Sequence, residues 1–255
     1  MKYLFYSIII LIMFSCDSDK SSETAKKNID AVVFETIEQR ITRHIEANLK
    51  IPATEKYTYQ IFKGEINGDD SLDFIITVNR LDFAINEAIE RKRMAKSASS
   101  GFMGTFNFIF YMNGDTKNIS TAIPIPSSAK GKLKVSFEHL RSESFNDFMV
   151  DFKLDNASFR RFFTLYDEQP REIFEIMLYD GLGDIENHAI SIEYSQGSYS
   201  LVKDILIFTG ELEKVKFDDP EKVYSYNPEI KKTDLLERRW FFNSNQRKYY
   251  TKKDQ

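Results

Sequence analysis

The sequence predicts an α+β protein, mainly antiparallel β, with an N-terminal amphipathic helix, one inserted helix and a weak duplication of a β unit. Three observations predict it. Short runs with apolar residues at every second position alternate with turn-forming residues, as half-buried strands require. A single segment, Ile29 to Leu49, keeps a sustained helical apolar spacing. The 22 Phe and 13 Tyr stand against only 10 Gly and 6 Pro, a balance that suits pleated surfaces packed on one side.

At 255 residues and 42% hydrophobic content the chain can bury a full core. Residues 29–255 are expected to form a single globular β-rich domain. Lys and Arg total 35 against 39 Asp and Glu, a formal charge of −4. No basic stripe interleaved with stacking aromatics occurs, so nucleic acid is not an expected partner.

Residues 1–15 begin with Lys2, continue with an apolar segment from Leu4 to Phe14, and end on Ser15 before Cys16. That is the layout of a secretory signal, and the apolar part is too short to cross a bilayer as a helix. It resembles a bacterial lipoprotein signal, although Met13 and Phe14 depart from the usual Leu-Ala/Ser-Gly/Ala residues. The resemblance implies that Cys16 is acylated with palmitate or a similar chain, which anchors the protein to a membrane of the bacterial cell envelope. Two or more acyl chains, at about 0.8 kcal/mol per buried CH₂, give a firm anchor. Cys16 is the single cysteine, so an intramolecular disulfide or a cysteine metal cluster cannot form. Residues 16–28 hold this cysteine and a tether rich in Ser, Lys and acids. Asp17 and Asp19 fit either a sorting signal or a solvated linker.

Ile29, Val33, Ile37, Ile41, Ile45 and Leu49 form the apolar stripe of the first helix, which Pro52 stops. His44 beside that stripe is expected to pack rather than to ligate. Tyr57, Tyr59 and Ile61 begin a strand, an acidic loop follows, and Phe74 to Val78 form the next strand. Leu81 to Ala98 has helical character and carries a solvated charged run at 90–93. Thr105 to Met112 is a strand closed by an Asn113-Gly114 turn. Later strands are expected at Ile173 to Leu178, Ala189 to Tyr194 and Leu201 to Thr209, with a last hairpin from Trp240 to Tyr250. Asp218 to Lys232, with two prolines, is expected to be a long surface connection. The duplication rests on laying residues 72–80 on 146–154 and residues 106–115 on 159–168.

Chemistry concentrates in Gly64 to Arg80, GEINGDDSLDFIITVNR. In a nine-position loop starting at Glu65, the side chains of Glu65, Asn67, Asp69 and Asp73 fall at positions 1, 3, 5 and 9, with Ser71 at position 7. Alternate residues of such a loop turn oxygens inward, as Ca²⁺ requires with about six to eight oxygen ligands. Ile76 stands where an EF-hand needs its last acid, and a strand follows rather than a helix. The segment resembles the Asp-x-Asn-x-Asp-Gly-x-x-Asp-apolar loop of FG-GAP or VCBS-type repeats, the calcium loops of integrin-like β-propellers. The resemblance covers some 15 residues. It implies that Glu65, Asn67, Asp69 and Asp73 ligate structural Ca²⁺ through side chains and Ser71 through its backbone. Glu65 replaces the first Asp, and Asp70 replaces the turn glycine. Asp tolerates the left-handed conformation that this position needs. The plain alternative is an acidic hairpin turn around Asn67-Gly68, and Ser142 to Asp147 in the second copy lacks the full set of acids, holding only Glu143 and Asp147.

His44, His139 and His188 show no HExxH or HxH spacing, and no GxSxG elbow or Walker loop occurs. Asp180 and Asp184 do not by spacing alone make an acid and base pair. The expected function is therefore a non-enzymatic, envelope-anchored binding or structural lipoprotein with an unidentified protein or glycan partner. The alternatives are a surface hydrolase acting on polysaccharide or peptide, and an immunity or inhibitor lipoprotein.

Overall fold

The computed structural model describes residues 35–251. The expected signal, the expected tether with Cys16 and the first residues of the expected N-terminal helix lie outside the described residues. The described chain is α+β with mostly antiparallel strands. Among the described residues no helix is long and apolar enough to cross a membrane.

Helix α1 spans Ile37–Leu49 and buries Ile41 and Ile45. Lys50 takes a positive φ of 51°, and the Ile51 amide donates back to the Glu46 carbonyl at 2.9 Å. This left-handed close ends the helix one residue before the chain turns at Ile51 and Pro52. His44 packs as expected: Nε2 lies 2.9 Å from the Ser120 carbonyl, and its ring meets Phe110 edge-on at 5.5 Å.

Among the described residues, twelve strands follow as three four-stranded antiparallel meanders. The first unit holds β1 (Thr58–Gly64), β2 (Asp73–Asn79), β3 (Met103–Met112) and β4 (Ile123–Ser128). The second holds β5 (Lys134–Glu138), β6 (Asp147–Leu154), β7 (Ala157–Tyr166) and β8 (Gln169–Asp180). The third holds β9 (His188–Ser195), β10 (Asp204–Leu212), β11 (Ile230–Asn243) and β12 (Lys248–Tyr250). The second and third units join into one eight-stranded ladder through only two residue pairs, Tyr179 with Ala189 and Asp180 with His188.

The units stack face to face because alternate residues of each strand point to opposite sides. Phe148, Val150 and Phe152 of β6 pack on Ile75, Ile109 and Tyr111 of the first unit. Met149 and Phe162 turn the other way, onto Ile205, Ile207 and Phe242 of the third. The outer face of the first unit, with Ile76, Val78 and Phe110, is covered by Ile41 and Ile45 of α1. The layers therefore run α1, first unit, second unit, third unit.

Several expected elements differ. The inserted helix is two short helices, α2 (Leu81–Glu90) and α3 (Met94–Ser99), broken at Lys92 with φ 51°. The expected connection at 218–232 ends earlier. A 3-10 turn at Pro220–Tyr224 leads into β11, which spans fourteen residues from Ile230. The late hairpin is only the end of β11 with β12.

The duplication is a triplication. Residues 72–80 and 146–154 are equivalent, each beginning beside the aspartate that opens a second strand. The alignment of 106–115 with 159–168 is two residues out of register. Phe74 pairs with Met112 and Phe148 with Phe163, so Met112 answers to Phe163 rather than to Leu165.

Candidate functional site

In each unit the last residue of the first strand pairs with an aspartate nine positions later: Gly64 with Asp73, Glu138 with Asp147, Ser195 with Asp204. The three intervening loops have the same length. Each aspartate is buried, at 0%, 0% and 1% exposure. In each, Oδ2 accepts the amide of the residue six positions earlier: Asn67 at 3.1 Å, Arg141 at 3.1 Å and Ser198 at 3.0 Å. The aspartate thus holds its loop from inside, and a buried carboxylate is tolerated because its oxygens are filled by donors.

The partners beyond that shared bond differ. Asp73 is filled by neutral donors: the Ile66 amide at 3.1 Å also meets Oδ2, while the Gly114 amide at 2.8 Å and the Tyr111 hydroxyl at 3.1 Å meet Oδ1. Gly114 is required there, since a Cβ would stand 2.1 Å from the Leu72 carbonyl oxygen. Burial and the Asp73 charge push the Tyr111 phenol above its ordinary pKa. Asp147 and Asp204 are met by guanidinium groups, from Arg141 at 2.8 Å and Arg239 at 2.7 Å.

Adjacent loops are also tied in the same manner. The Asn146 amide, one residue before Asp147, donates to the Glu65 carbonyl at 2.8 Å. The Lys203 amide, one residue before Asp204, donates to the Leu140 carbonyl at 2.8 Å. The loops therefore form one rim along the stack.

Of the residues that the sequence nominates, the structure brings Asn67, Asp69 and Ser71 together on the exposed side of the first loop. Asp69 Oδ1 accepts the Ser71 amide at 2.9 Å and the Ser71 hydroxyl, and Asp69 Oδ2 accepts Asn67 Nδ2 at 2.6 Å. The Ser71 hydroxyl holds the Asp69 carboxyl below its usual range. Gly68 and Asp70 take φ of 77° and 63°, the left-handed turn foreseen for Asp70. Asp73 faces the opposite way, and the Glu65 carbonyl is engaged by Asn146. Among the described residues no three His, Cys, Asp or Glu side chains gather as a metal-holding group.

The histidines stay apart: His139 Nδ1 lies 3.0 Å from the Phe145 carbonyl, and His188 opens β9 opposite Asp180. Asp180 Oδ1 accepts the Gly181 amide, while Asp184 Oδ2 accepts Asn156 Nδ2. Each of these two acids serves a turn.

The sequence reading missed a groove of about 690 Å³ near the far end of β6, away from the loop rim. Four lysines reach it: Lys130, Lys132, Lys134 and Lys153. Lys130, Lys132 and Lys134 alternate along one short run of the chain, while Lys153 joins them only through the pairing of β5 with β6, in which Lys134 stands opposite Asp151. Lys153 is buried and donates Nζ to the carbonyls of Val223, at 2.5 Å, and Tyr226. Burial, helped by repulsion from Lys134, lowers its pKa to about 8. Comparison with protein-family models, with curated proteins and with solved structures gave no match.

Proposed function

We propose that this chain is an envelope-anchored lipoprotein, acylated at Cys16, whose three stacked β units serve as a non-enzymatic binding or structural module for a protein or glycan. The observation that carries this reading is the use made of the strand-opening aspartates. Asp73, Asp147 and Asp204 are filled by backbone amides, guanidinium groups and a phenol, so the acids of the loop rim work as internal fasteners. A rim fastened from inside keeps its outer surface fixed, which lowers the ordering cost of binding a partner.

The test is chemical cross-linking and pull-down of the full chain from its native envelope, with fatty-acid labelling beside it. Label on the wild-type protein, lost in Cys16→Ser together with membrane retention and a discrete cross-linked partner, is the expected result. An unlabelled wild-type chain that washes off the envelope contradicts the anchor, and turnover of an envelope polymer by the purified chain contradicts the non-enzymatic reading.

The calcium reading belongs to the same proposal. In this reading Glu65, Asn67 and Asp69 would hold the ion through side chains and Ser71 through its backbone, while Asp73 would leave its four donors only at a cost. Affinity is therefore expected at the weak end for such loops, about 10⁻⁴ to 10⁻³ M. Thermal melts in 10 mM Ca²⁺, roughly 10- to 100-fold above that range, should lie above melts in EDTA by the equivalent of about 1 to 3 kcal/mol. Asp69→Ala should erase the difference. Coincident wild-type melts remove calcium from the reading and leave the aspartate fasteners untouched.

A further inference from the structure

The lysine groove combines features that the fold does not account for. Its charge is not balanced from within. Lys130 pairs with Glu221, and the one acid on the wall, Asp151, is held by Arg160 through bonds of 2.6 and 2.8 Å. Among the described residues, Lys132, Lys134 and Lys153 have no carboxylate within ion-pair distance, although they converge on one groove from the segment before β5, from β5 and from β6. Lys153 Nζ satisfies two of its three N–H groups on carbonyls and keeps one for another acceptor.

Beneath the lysines the groove is apolar and aromatic. Phe62 from β1, Phe152 from β6, Leu178 from β8 and Ile230 from β11 line it, so all three units contribute. Tyr179 and Tyr224 add aromatic walls that end in polar hydroxyls. A cavity of several hundred Å³ with an apolar floor and a few convergent charges is the usual form of a small-molecule site. Like charges gathered without counter-ions cost the fold, and an anion among them returns that cost.

We infer that this groove binds an organic anion, a carboxylate or phosphate monoester carried on a flat or aliphatic body, with the acid group among Lys132, Lys134 and Lys153 and the body on Phe62, Phe152 and Ile230. The lowered pKa of Lys153 agrees with an ammonium kept short of a counter-ion. The inference extends the binding reading to a small ligand. It is tested with small soluble probes, so its failure leaves the envelope-partner experiment standing.

The test is calorimetric titration of the full chain with four probes: 1-naphthoate, 1-naphthyl phosphate, 1-naphthalenemethanol and inorganic phosphate. One or both of the naphthyl anions should bind, more weakly as salt is raised, and the tighter of the two names the headgroup. The neutral alcohol and inorganic phosphate should each bind at least about tenfold more weakly, since each lacks half of the recognition. Lys153→Met should weaken the anion about tenfold or more. Because Lys153 also clamps the 223–226 segment, the exposed double variant Lys132→Glu/Lys134→Glu is the second arm, with the same expected loss and an unchanged melt. Lys248→Glu on β12, outside the groove, should bind as wild type. The inference is overturned if neither naphthyl anion binds, if the alcohol binds as well as the anions, or if the double variant keeps full affinity.

Discussion

Asp73→Ala is expected to lower the stability of the folded chain by about 4 kcal/mol or more in urea denaturation. The substitution strands four donors at once: the amides of Ile66, Asn67 and Gly114 and the hydroxyl of Tyr111. A buried donor left without an acceptor costs about 1 to 3 kcal/mol, and water entering from the loop side offsets part of the sum. Gly114 and Tyr111 lie on and beyond β3, so the loss also loosens the β2 to β3 pairing. Asp69→Ala, on the same loop but exposed, should change stability by no more than about 1 kcal/mol without calcium. Equal costs for the two substitutions would mean that the loop is held from its outer side.

Phe148→Ala should cost about 3 to 5 kcal/mol, the range for emptying a buried aromatic site. Its ring is fully buried in the middle unit and stacks on Phe163 with centroids 5.2 Å apart and planes 9° from parallel. Tyr111 and Ile75 of the first unit belong to the same cluster, so the vacancy falls between two rigid sheets that collapse poorly into it. Leu236→Ala on β11, where the side chain is 46% exposed, should stay within about 1 kcal/mol. The contrast, read from urea midpoints at constant slope, tests the layering. A Phe148→Ala cost near that of Leu236→Ala would refute a close-packed interface between the first two units.

Much of this fold is legible where burial writes a period into the chain. Ile41 and Ile45 mark the buried face of α1, and the strands around Phe74 and Phe148 appear as apolar runs because they are covered on both faces. The sequence is silent where pairing alone makes the strand. β4 reads IPIPSS, with two prolines that disfavour a central strand, and it exists because it is the edge of its sheet. The first ten residues of β11 are mostly charged or exposed, and their extended form comes from their ladder with β10. The helix expected over 81–98 breaks because Lys92 turns left-handed, a choice that no local pattern announces.

The loop was legible in spacing but not in direction. Five candidate ligands follow from alternation, yet the inward turn of Asp73 depends on Tyr111 and Gly114, 38 and 41 residues away. The second loop reads as lacking the calcium-type acids and the third shows no such pattern for a related reason. Only the closing aspartate recurs, and its partner changes from a phenol to an arginine, so residue identity conceals a conserved spacing of nine. A search for an aspartate at the head of each apolar run would have found Asp147 and Asp204.

Native-state amide hydrogen exchange at Asn67, Arg141 and Ser198 tests the three-unit account most directly. If each strand-opening aspartate fastens its loop from inside, all three amides should exchange at least about 100-fold more slowly than an unstructured chain, while the Asp70 amide at the exposed loop tip exchanges close to the free rate. Exchange of Asn67, Arg141 and Ser198 as fast as that of Asp70 would contradict it.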